Sequence, residues 1–413
     1  MASTDEVLII GAGVGGLCLA QGLHHRGIPF RVFERNESLA AKSQGYRFRL
    51  VNPGIEALER TLSPELWDLL ERTHARDSPP DLLRMDAHTG ATTLASPAEG
   101  ATDRERRCYP IDRPWFRELL RLGIEDRIEF GKAFVSFEYE DGGSEGIRAS
   151  FADGTLARGS LLVAADGVHS RVRRARFPDL RPHLDVRRTV MWGRTPLTAE
   201  FERRFARPDI LANHFAYMVD PTNAARSCLF APIRWPGDVA ALSGGRLSKT
   251  SDYMFWALTS EAPTTRDVNS TPEVRAGYAL EITENWQSNL RSLFEMQDAD
   301  SLYAVNVVSS TPDIHVWETD SRLTFVGDAI HAMSPTGGSG GLTTIQDVAD
   351  LCDALVDAGF GTKVIDPEKS KQCLQKYENK MRVRAKAALE RSYRGGKAIW
   401  AGQEWYEYDY AKS

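Results

Sequence analysis

The stretch VLIIGAGVGGLCLAQGL, Val7 to Leu23, decides how this chain begins to fold. Val7-Leu8-Ile9-Ile10 is a short unbroken apolar run, the pattern of a parallel strand buried on both faces. Leu17, Ala20 and Leu23 then recur at helical spacing, and Gly27 closes the helix. Between strand and helix stands Gly11-x-Gly13-x-x-Gly16. Gly11 suits the tight turn, Gly13 lets the backbone approach a pyrophosphate, and Gly16 lets helix and strand pack closely. The helix amino end, with its free N–H groups, faces the phosphates. Phe30-Arg31-Val32-Phe33 reads as the next strand and ends at Glu34, 21 residues beyond Gly13. An acidic side chain there bonds the hydroxyls of an adenosine ribose. The expectation is a βαβ unit for an adenine dinucleotide, and these residues alone do not tell NAD from FAD.

The rest of the chain bounds the answer. At 413 residues it is too long for one ordinary core, so two or three structural units are expected. A formal charge of −6 argues against a general nucleic-acid binder. No apolar run approaches the ~20 residues of a membrane span, and MASTDEVLII has no basic leader. Five scattered cysteines without a CxxC pair point to reduced thiols in a cytoplasmic setting. Neither they nor the nine histidines assume metal-ligand spacing, so no metal is expected.

Two further motifs lie far downstream. In SLLVAADGVHSRVRRA, Ser160 to Ala175, a buried strand delivers Asp166-Gly167 at its carboxyl end, and a short helix follows. Ahead of it, Asp153-Gly154 between alternating apolar runs reads as a hairpin. In RLTFVGDAIHAMSPTGGSGGLTTIQDVADLCDAL, Arg322 to Leu355, a strand ends in Gly327-Asp328. Pro335 and glycines 337, 338, 340 and 341 then open a helix whose stripe is Leu342, Ile345, Ala349, Cys352 and Leu355.

GAGVGG with Glu34, AADGVHSRVR and VGDAIHAMSPTGGSGG, in this order over roughly residues 5–360, resemble the three signatures of single-component (group A) FAD-dependent monooxygenases, the para-hydroxybenzoate hydroxylase-like family. The wording GDAIHAMSP is similar to that of fungal members acting on secondary metabolites. The resemblance implies FAD, with contacts from Gly11, Gly13, Val14, Gly15, Gly16, Glu34, Arg35, Asp166, Gly167, Gly327, Asp328, Pro335, Gly338, Gly340 and Gly341. It places Asp328 on the ribityl hydroxyls and Arg113, in CYPIDRPWFRELL, on the flavin chain. Reduced flavin carries negative charge, which the free N–H groups and dipole of the helix after Pro335 suit; glycines there let backbone touch the ring. The sequence departs from the family at Leu342, where asparagine is usual. It has only one GxGxxG, so NADPH or NADH is expected as a transient reductant without a second Rossmann unit.

The resulting fold class is α/β (α+β): a Rossmann-like FAD-binding domain with an inserted mixed β-sheet substrate domain and a C-terminal helix. The expected division is 1–75, 100–178 and 311–362 for the discontinuous FAD domain, 76–99 and 179–310 for the substrate domain, and 363–413 for the C-terminal helical segment. DILANHFAYMV, SCLFAPIRW and DYMFWALTSE read as strands; ALEITENWQSNLRSLFEM reads as one packed helix begun by Thr271 and Pro272. The tail reads as a long helix ending at Gly395-Gly396. In the middle third, Arg194 is a candidate for holding a phenolate or enolate, and His214 and Tyr217 are candidate acid–base groups. Arg47 and Arg49 could border the flavin, and His331 reads as framework.

The expected function is an FAD-dependent monooxygenase that uses NAD(P)H and O2 to hydroxylate or epoxidise a small aromatic or heteroaromatic, secondary-metabolite-like substrate through a C4a-(hydro)peroxyflavin. The alternative is an FAD-binding protein with a non-redox or dehydrogenase role on a similar substrate. A halogenase is disfavoured because no Trp-x-Trp-x-Ile-Pro segment occurs. Expected partners are the small molecule and O2, without nucleic acid or membrane anchor, in a monomer or homodimer.

Overall fold

The computed structural model describes residues 6–38, 47–77, 82–95, 107–140, 146–261, 271–362 and 365–411. The apolar run Val7–Ile10 is the central strand of a five-stranded parallel sheet, and all four of its residues are buried. Leu161–Ala164 pairs with it on one side and Phe30–Phe33 on the other. Leu323–Phe325 adds beyond Leu161–Ala164, and Ile128–Glu129 beyond Phe30–Phe33. Three parallel neighbours therefore end at one edge of the sheet. Their ends carry Gly11, Asp166-Gly167 and Gly327-Asp328, so motifs far apart in the chain meet there. Helix Val14–His25 packs on helix Gly340–Ala358 at this edge, and Gly15 permits it: a Cβ there would lie 2.8 Å from the Thr344 side chain. Asp153 and Gly154 turn the antiparallel pair Gly146–Phe151 and Leu156–Gly159.

A seven-stranded mixed sheet forms the second unit. Its order is Tyr303–Ser310, His183–Pro196, Tyr253–Glu261, Asn223–Ile233, Phe215–Asp220, Leu82–Asp86 and Thr92–Ala95. Strand alternation splits its side chains cleanly. Met191, Met218, Phe230, Met254 and Trp256 pack into a separate core with Phe201, Leu290 and Phe294 from the helices behind the sheet. Val190, Tyr253, Phe255 and Ala257 point the other way and join the core of the first unit. Between the two units lies the antiparallel pair Arg47–Val51 and Cys108–Asp112. Its Phe48 and Leu50 are buried in the first core, so Arg47 and Arg49 project from the opposite face toward Phe215.

Several local readings are corrected. Pro208–Leu211, which takes in the start of DILANH, is a short helix with proline in its first turn, and the strand begins only at Phe215. ALEITENWQSNLRSLFEM forms two helices, Pro272–Ile282 and Ser288–Glu295. The chain between them is drawn to the sheet, where the Trp286 indole donates to Asp220 at 3.1 Å and the Gln287 N–H donates to the Ala87 carbonyl at 2.8 Å. Thr271 stands at the N-cap position, yet its side chain makes no cap bond. The tail helix does not stop at Gly395-Gly396: it spans Pro367–Trp400. Gly395 is a packing glycine, since a Cβ there would lie 2.8 Å from the Thr336 carbonyl oxygen. Beyond it the tail runs along the sheet, Asp185 donating its N–H to the Asp409 carbonyl and Ala411 to that of His183, both at 2.9 Å. No described helix is long and apolar enough to cross a membrane.

Candidate cofactor and substrate site

A cleft of about 740 Å³ opens at the shared strand edge. Gly11, Gly13, Val14, Glu34, Arg35, Arg113, Asp166 and Gly167 line it. The three signature glycines do different work. Gly11 has φ of +109°, and a Cβ there would sit 2.5 Å from the Ala165 carbonyl oxygen. A Cβ on Gly16 would sit 1.9 Å from the Gly11 oxygen. These two glycines let the turn close. Gly13, by contrast, has an ordinary φ of −72° and nothing within 4 Å of where its Cβ would be. The same emptiness lies over Gly167 and Gly338. No packing among the described residues explains Gly13, and the space over it is open to a ligand.

Glu34 is buried at the tip of its strand. Its carboxylate accepts the Ala12 N–H at 2.9 Å and the Asn36 N–H at 3.0 Å, which ties it to the glycine turn. Each oxygen keeps a lone pair for a ribose hydroxyl. Arg117 donates to the Ala12 carbonyl at 3.2 Å and faces Glu34; burial lowers its pKa and Glu34 opposes the shift. It lines the cleft and was not among the residues expected from sequence. The signal was present, since Arg117 lies one helical turn after Arg113 on helix Arg113–Arg121.

Asp166 uses one oxygen to accept the N–H groups of Arg171 at 2.7 Å and Val172 at 3.2 Å, holding the helix Arg171–Arg176. Its other oxygen is enclosed and has no hydrogen-bond partner among the described residues. Burial raises the Asp166 pKa, which makes that oxygen a place for a hydroxyl or N–H of a ligand. Asp328 is reached by solvent although protein surrounds it, and it is not among the residues that line the cleft. Burial raises its pKa, while His331 and Arg113 pull the other way. Arg113, which lines the cleft, and Asp328 thus lie close enough to influence each other's charge.

After Gly327-Asp328 the chain makes a turn at Pro335–Gly337 and enters helix Gly340–Ala358. Gly341 lies against the Phe48 ring, 2.8 Å from where its Cβ would be. Leu342 turns away from the helix start: its Cδ1 lies 2.1 Å from where a Cβ on Gly54 would stand. The departure at Leu342 therefore fills a gap left by a glycine. The C-terminal helix braces the turn from behind, where Thr336 donates its hydroxyl to the Ser392 carbonyl at 2.6 Å and Ser392 donates to that of Ser334 at 2.7 Å.

The inward face of the seven-stranded sheet carries half-buried Trp192, Arg194, Phe215 and Leu229. The three residues expected from sequence to be catalytic do not share partners. Arg194 lines the cleft and pairs with Asp298 at 3.2 Å. Tyr217 donates its hydroxyl to the Ile399 carbonyl, and burial raises its pKa to about 12. His214 directs Nδ1 at the Asp209 carbonyl, 2.8 Å away. His331 is fully buried against Asp347, as a framework residue would be. Among the described residues no cluster suited to a metal ion occurs.

The open space over Gly13 and Gly167, the spare lone pairs of Glu34 and the unsatisfied oxygen of Asp166 fit a dinucleotide laid along this edge. Comparison with known proteins names it. An NAD(P)-binding Rossmann-like domain matches residues 9–73, and an FAD binding domain matches residues 248–392. The dual O-methyltransferase/FAD-dependent monooxygenase elcB of Phaeosphaeria nodorum is 32% identical over 98% of this chain and 47% of its own. The FAD-dependent monooxygenase thnD of Trichoderma harzianum is 27% identical over 97% of this chain and 93% of its own. Along nearly its whole length the chain is similar to fungal FAD-dependent monooxygenases. It spans about half the length of the first curated relatives it matches. The same fold recurs in 2,6-dihydroxypyridine-3-hydroxylase from Arthrobacter nicotinovorans, with a TM-score of 0.72, 18% identity and coverage of 97% and 94%. It recurs also in Klebsiella pneumoniae HpxO complexed with FAD and uric acid, at 0.68, 18%, 96% and 92%.

Proposed function

We propose that this chain, with FAD in the cleft, uses NADPH or NADH and O2 to hydroxylate or epoxidise a small aromatic or heteroaromatic molecule. The observation that carries this reading is the meeting of three glycine-bearing strand ends at one sheet edge, beside a cleft that Arg194 of the seven-stranded sheet also lines. FAD, when bound, supplies the oxygen chemistry. The protein's part is to bind, orient and exclude water. Glu34 and the turn at Gly13 hold the adenosine half; Asp166, Arg113 and Asp328 line the way along the chain toward the Pro335 turn. There the free N–H groups at the start of helix Gly340–Ala358 offer positive potential to an anionic ring. Trp192, Phe215 and Leu229 cover the substrate side. We read residues 1–75, 100–178 and 311–362 as the cofactor unit, 76–99 and 179–310 as the substrate unit, and 363–413 as the brace.

The test is an absorption spectrum of the purified protein, followed anaerobically on adding NADPH with a panel of small aromatics. Flavin bands that bleach faster with one compound, then recover in air with a product gaining one oxygen atom, support the reading. Bands that stay oxidised across the panel favour a non-redox role. A protein that takes up no flavin overturns it.

A further inference from the structure

The carboxyl group of Asp112 joins the seven-stranded sheet to a helix that lines the cofactor cleft. Asp112 ends strand Cys108–Asp112 and stands at the N-cap of helix Arg113–Arg121. One of its oxygens accepts the Trp115 N–H at 2.8 Å, which closes the first helical turn. The other accepts the Tyr253 hydroxyl at 2.6 Å. Tyr253 opens strand Tyr253–Glu261 of the sheet, and both side chains are buried.

The helix so capped carries Arg113 and Arg117, and both line the cleft. Arg113 is its first residue. The Arg113 Cζ lies 5.8 Å from the centroid of Phe48, the ring that lies against Gly341 at the start of helix Gly340–Ala358. A cap bond uses only one carboxylate oxygen. Inside the protein the second oxygen costs free energy unless it has a donor of its own, and Tyr253 is that donor. Burial raises the Asp112 pKa, while the Tyr253 and Trp115 bonds and the charge of Arg194 oppose the rise. The tyrosine thus favours the ionised acid, the stronger cap, and holds it in the capping orientation. A second contact marks the same joint. Trp115 meets Trp235 edge-on, with ring centroids 5.8 Å apart at 61°, and Trp235 follows strand Asn223–Ile233 of the sheet.

We infer that Tyr253 is a positioning residue for the cofactor: through Asp112 it fixes the first turn of the arginine-bearing helix, and with it the place of Arg113. The seven-stranded sheet thereby sets how tightly FAD is held, although Tyr253 is not among the residues that line the cleft. The inference rests on the reading of Arg113 as an FAD contact. It also accounts for a tyrosine on a strand face where its neighbours Phe255 and Ala257 are apolar.

The experiment is a double-mutant cycle on the FAD dissociation constant, measured with the full chain by flavin fluorescence. Tyr253→Phe is expected to weaken FAD binding about ten-fold, the scale of a buried acceptor left unsatisfied. Arg113→Gln should weaken it as well, and in that background Tyr253→Phe should cost less than about two-fold, because coupled residues are not additive. A hydroxyl that only supports the fold would cost the same in both backgrounds. Asp112→Ser keeps a capping oxygen for the Trp115 N–H but has no second one for Tyr253, so it should reproduce the pattern. Thermal melting of each variant checks the fold, and Asp112→Ser carries the test if Tyr253→Phe is unfolded. An FAD affinity in Tyr253→Phe within about two-fold of the parent overturns the inference, as do additive losses in the cycle. If Arg113→Gln holds FAD as tightly as the parent, the inference fails and the flavoprotein reading stands. An unaltered protein that takes up no flavin removes that reading itself.

Discussion

His331 Nε2 lies 2.5 Å from a carboxylate oxygen of Asp347, with both side chains fully buried. The other Asp347 oxygen receives Arg384 at 3.2 Å, so the Gly327-Asp328 turn, helix Gly340–Ala358 and the C-terminal helix share one ion network. Burial works against a charged imidazole, but the charge and hydrogen bond of Asp347, helped by Asp328, raise the His331 pKa above its ordinary 6.5.

Asp347→Asn keeps the shape and removes the charge, leaving Arg384 and His331 without it. A loss of about 3–5 kcal/mol is expected from breaking a buried pair, read as a lower urea midpoint. The pH dependence has a definite sign. A group with a raised folded pKa gives stability that is complete below the unfolded value and lost as pH rises through the folded one. The parent should therefore lose part of its stability above neutrality, and the Asn variant should show a flatter alkaline limb. Equal midpoints across pH would remove the charged pair from the account.

Gly13 and Gly16 separate cofactor room from packing room. Gly13→Val places its side chain in open space at an unstrained φ, so stability should change by about 0.5 kcal/mol or less, as for a surface site. FAD affinity, followed by flavin fluorescence, should fall by about ten-fold or more, roughly 1.4 kcal/mol. Gly16→Ala forces a Cβ to 1.9 Å from the Gly11 oxygen and should yield little folded protein. If Gly13→Val holds FAD as tightly as the parent, the cofactor does not cross that turn.

These two glycines also mark what was legible in the sequence. Each cofactor motif follows an unbroken apolar strand, and parallel pairing of those strands is enough to bring the motifs together. Side-chain partners across the chain were not legible. The fit of Leu342 over Gly54 joins segments that no periodicity connects. Gly395 has the composition of a helix terminator, and only its contact with Thr336 reveals a packing role. Alternation placed Arg47 and Arg49 on one face of a strand but could not say that Phe215 would cover them. For the same reason Tyr217 read as a free acid–base group until the C-terminal helix supplied the Ile399 carbonyl.

Gly395 and Gly396 should respond oppositely to substitution. Gly395→Val drives side-chain atoms into the Thr336 backbone, where a Cβ alone would stand 2.8 Å from the carbonyl oxygen. A lower melting temperature and weaker FAD retention should result, because the helix braces the Pro335 turn. Around Gly396 the nearest atom to an added Cβ is Thr336 Oγ1 at 3.8 Å, an ordinary contact. Gly396→Ala should stabilise by up to about 1 kcal/mol through helix propensity. Identical melting shifts for the two variants would dismiss the packing role of Gly395.

His183 sets an acid limit. It is buried on the first residue of its strand, and its pKa is pushed down to about 3 by burial, with Arg173 and His169 adding repulsion. A neutral imidazole is thus favoured in the folded state. The stability this confers is complete above the unfolded value near 6.5 and drains away as pH falls toward about 3. At about 1.4 kcal/mol per unit, the total is on the order of 3–5 kcal/mol. His183→Gln removes the titration while the main-chain carbonyl still receives the Ala411 N–H. Urea midpoints measured at several pH values between neutrality and pH 4 should fall less steeply in the variant. A residual slope is expected from His169, whose pKa burial and neighbouring arginines also lower. Parallel profiles for parent and variant would show that His183 is not what limits the protein in acid.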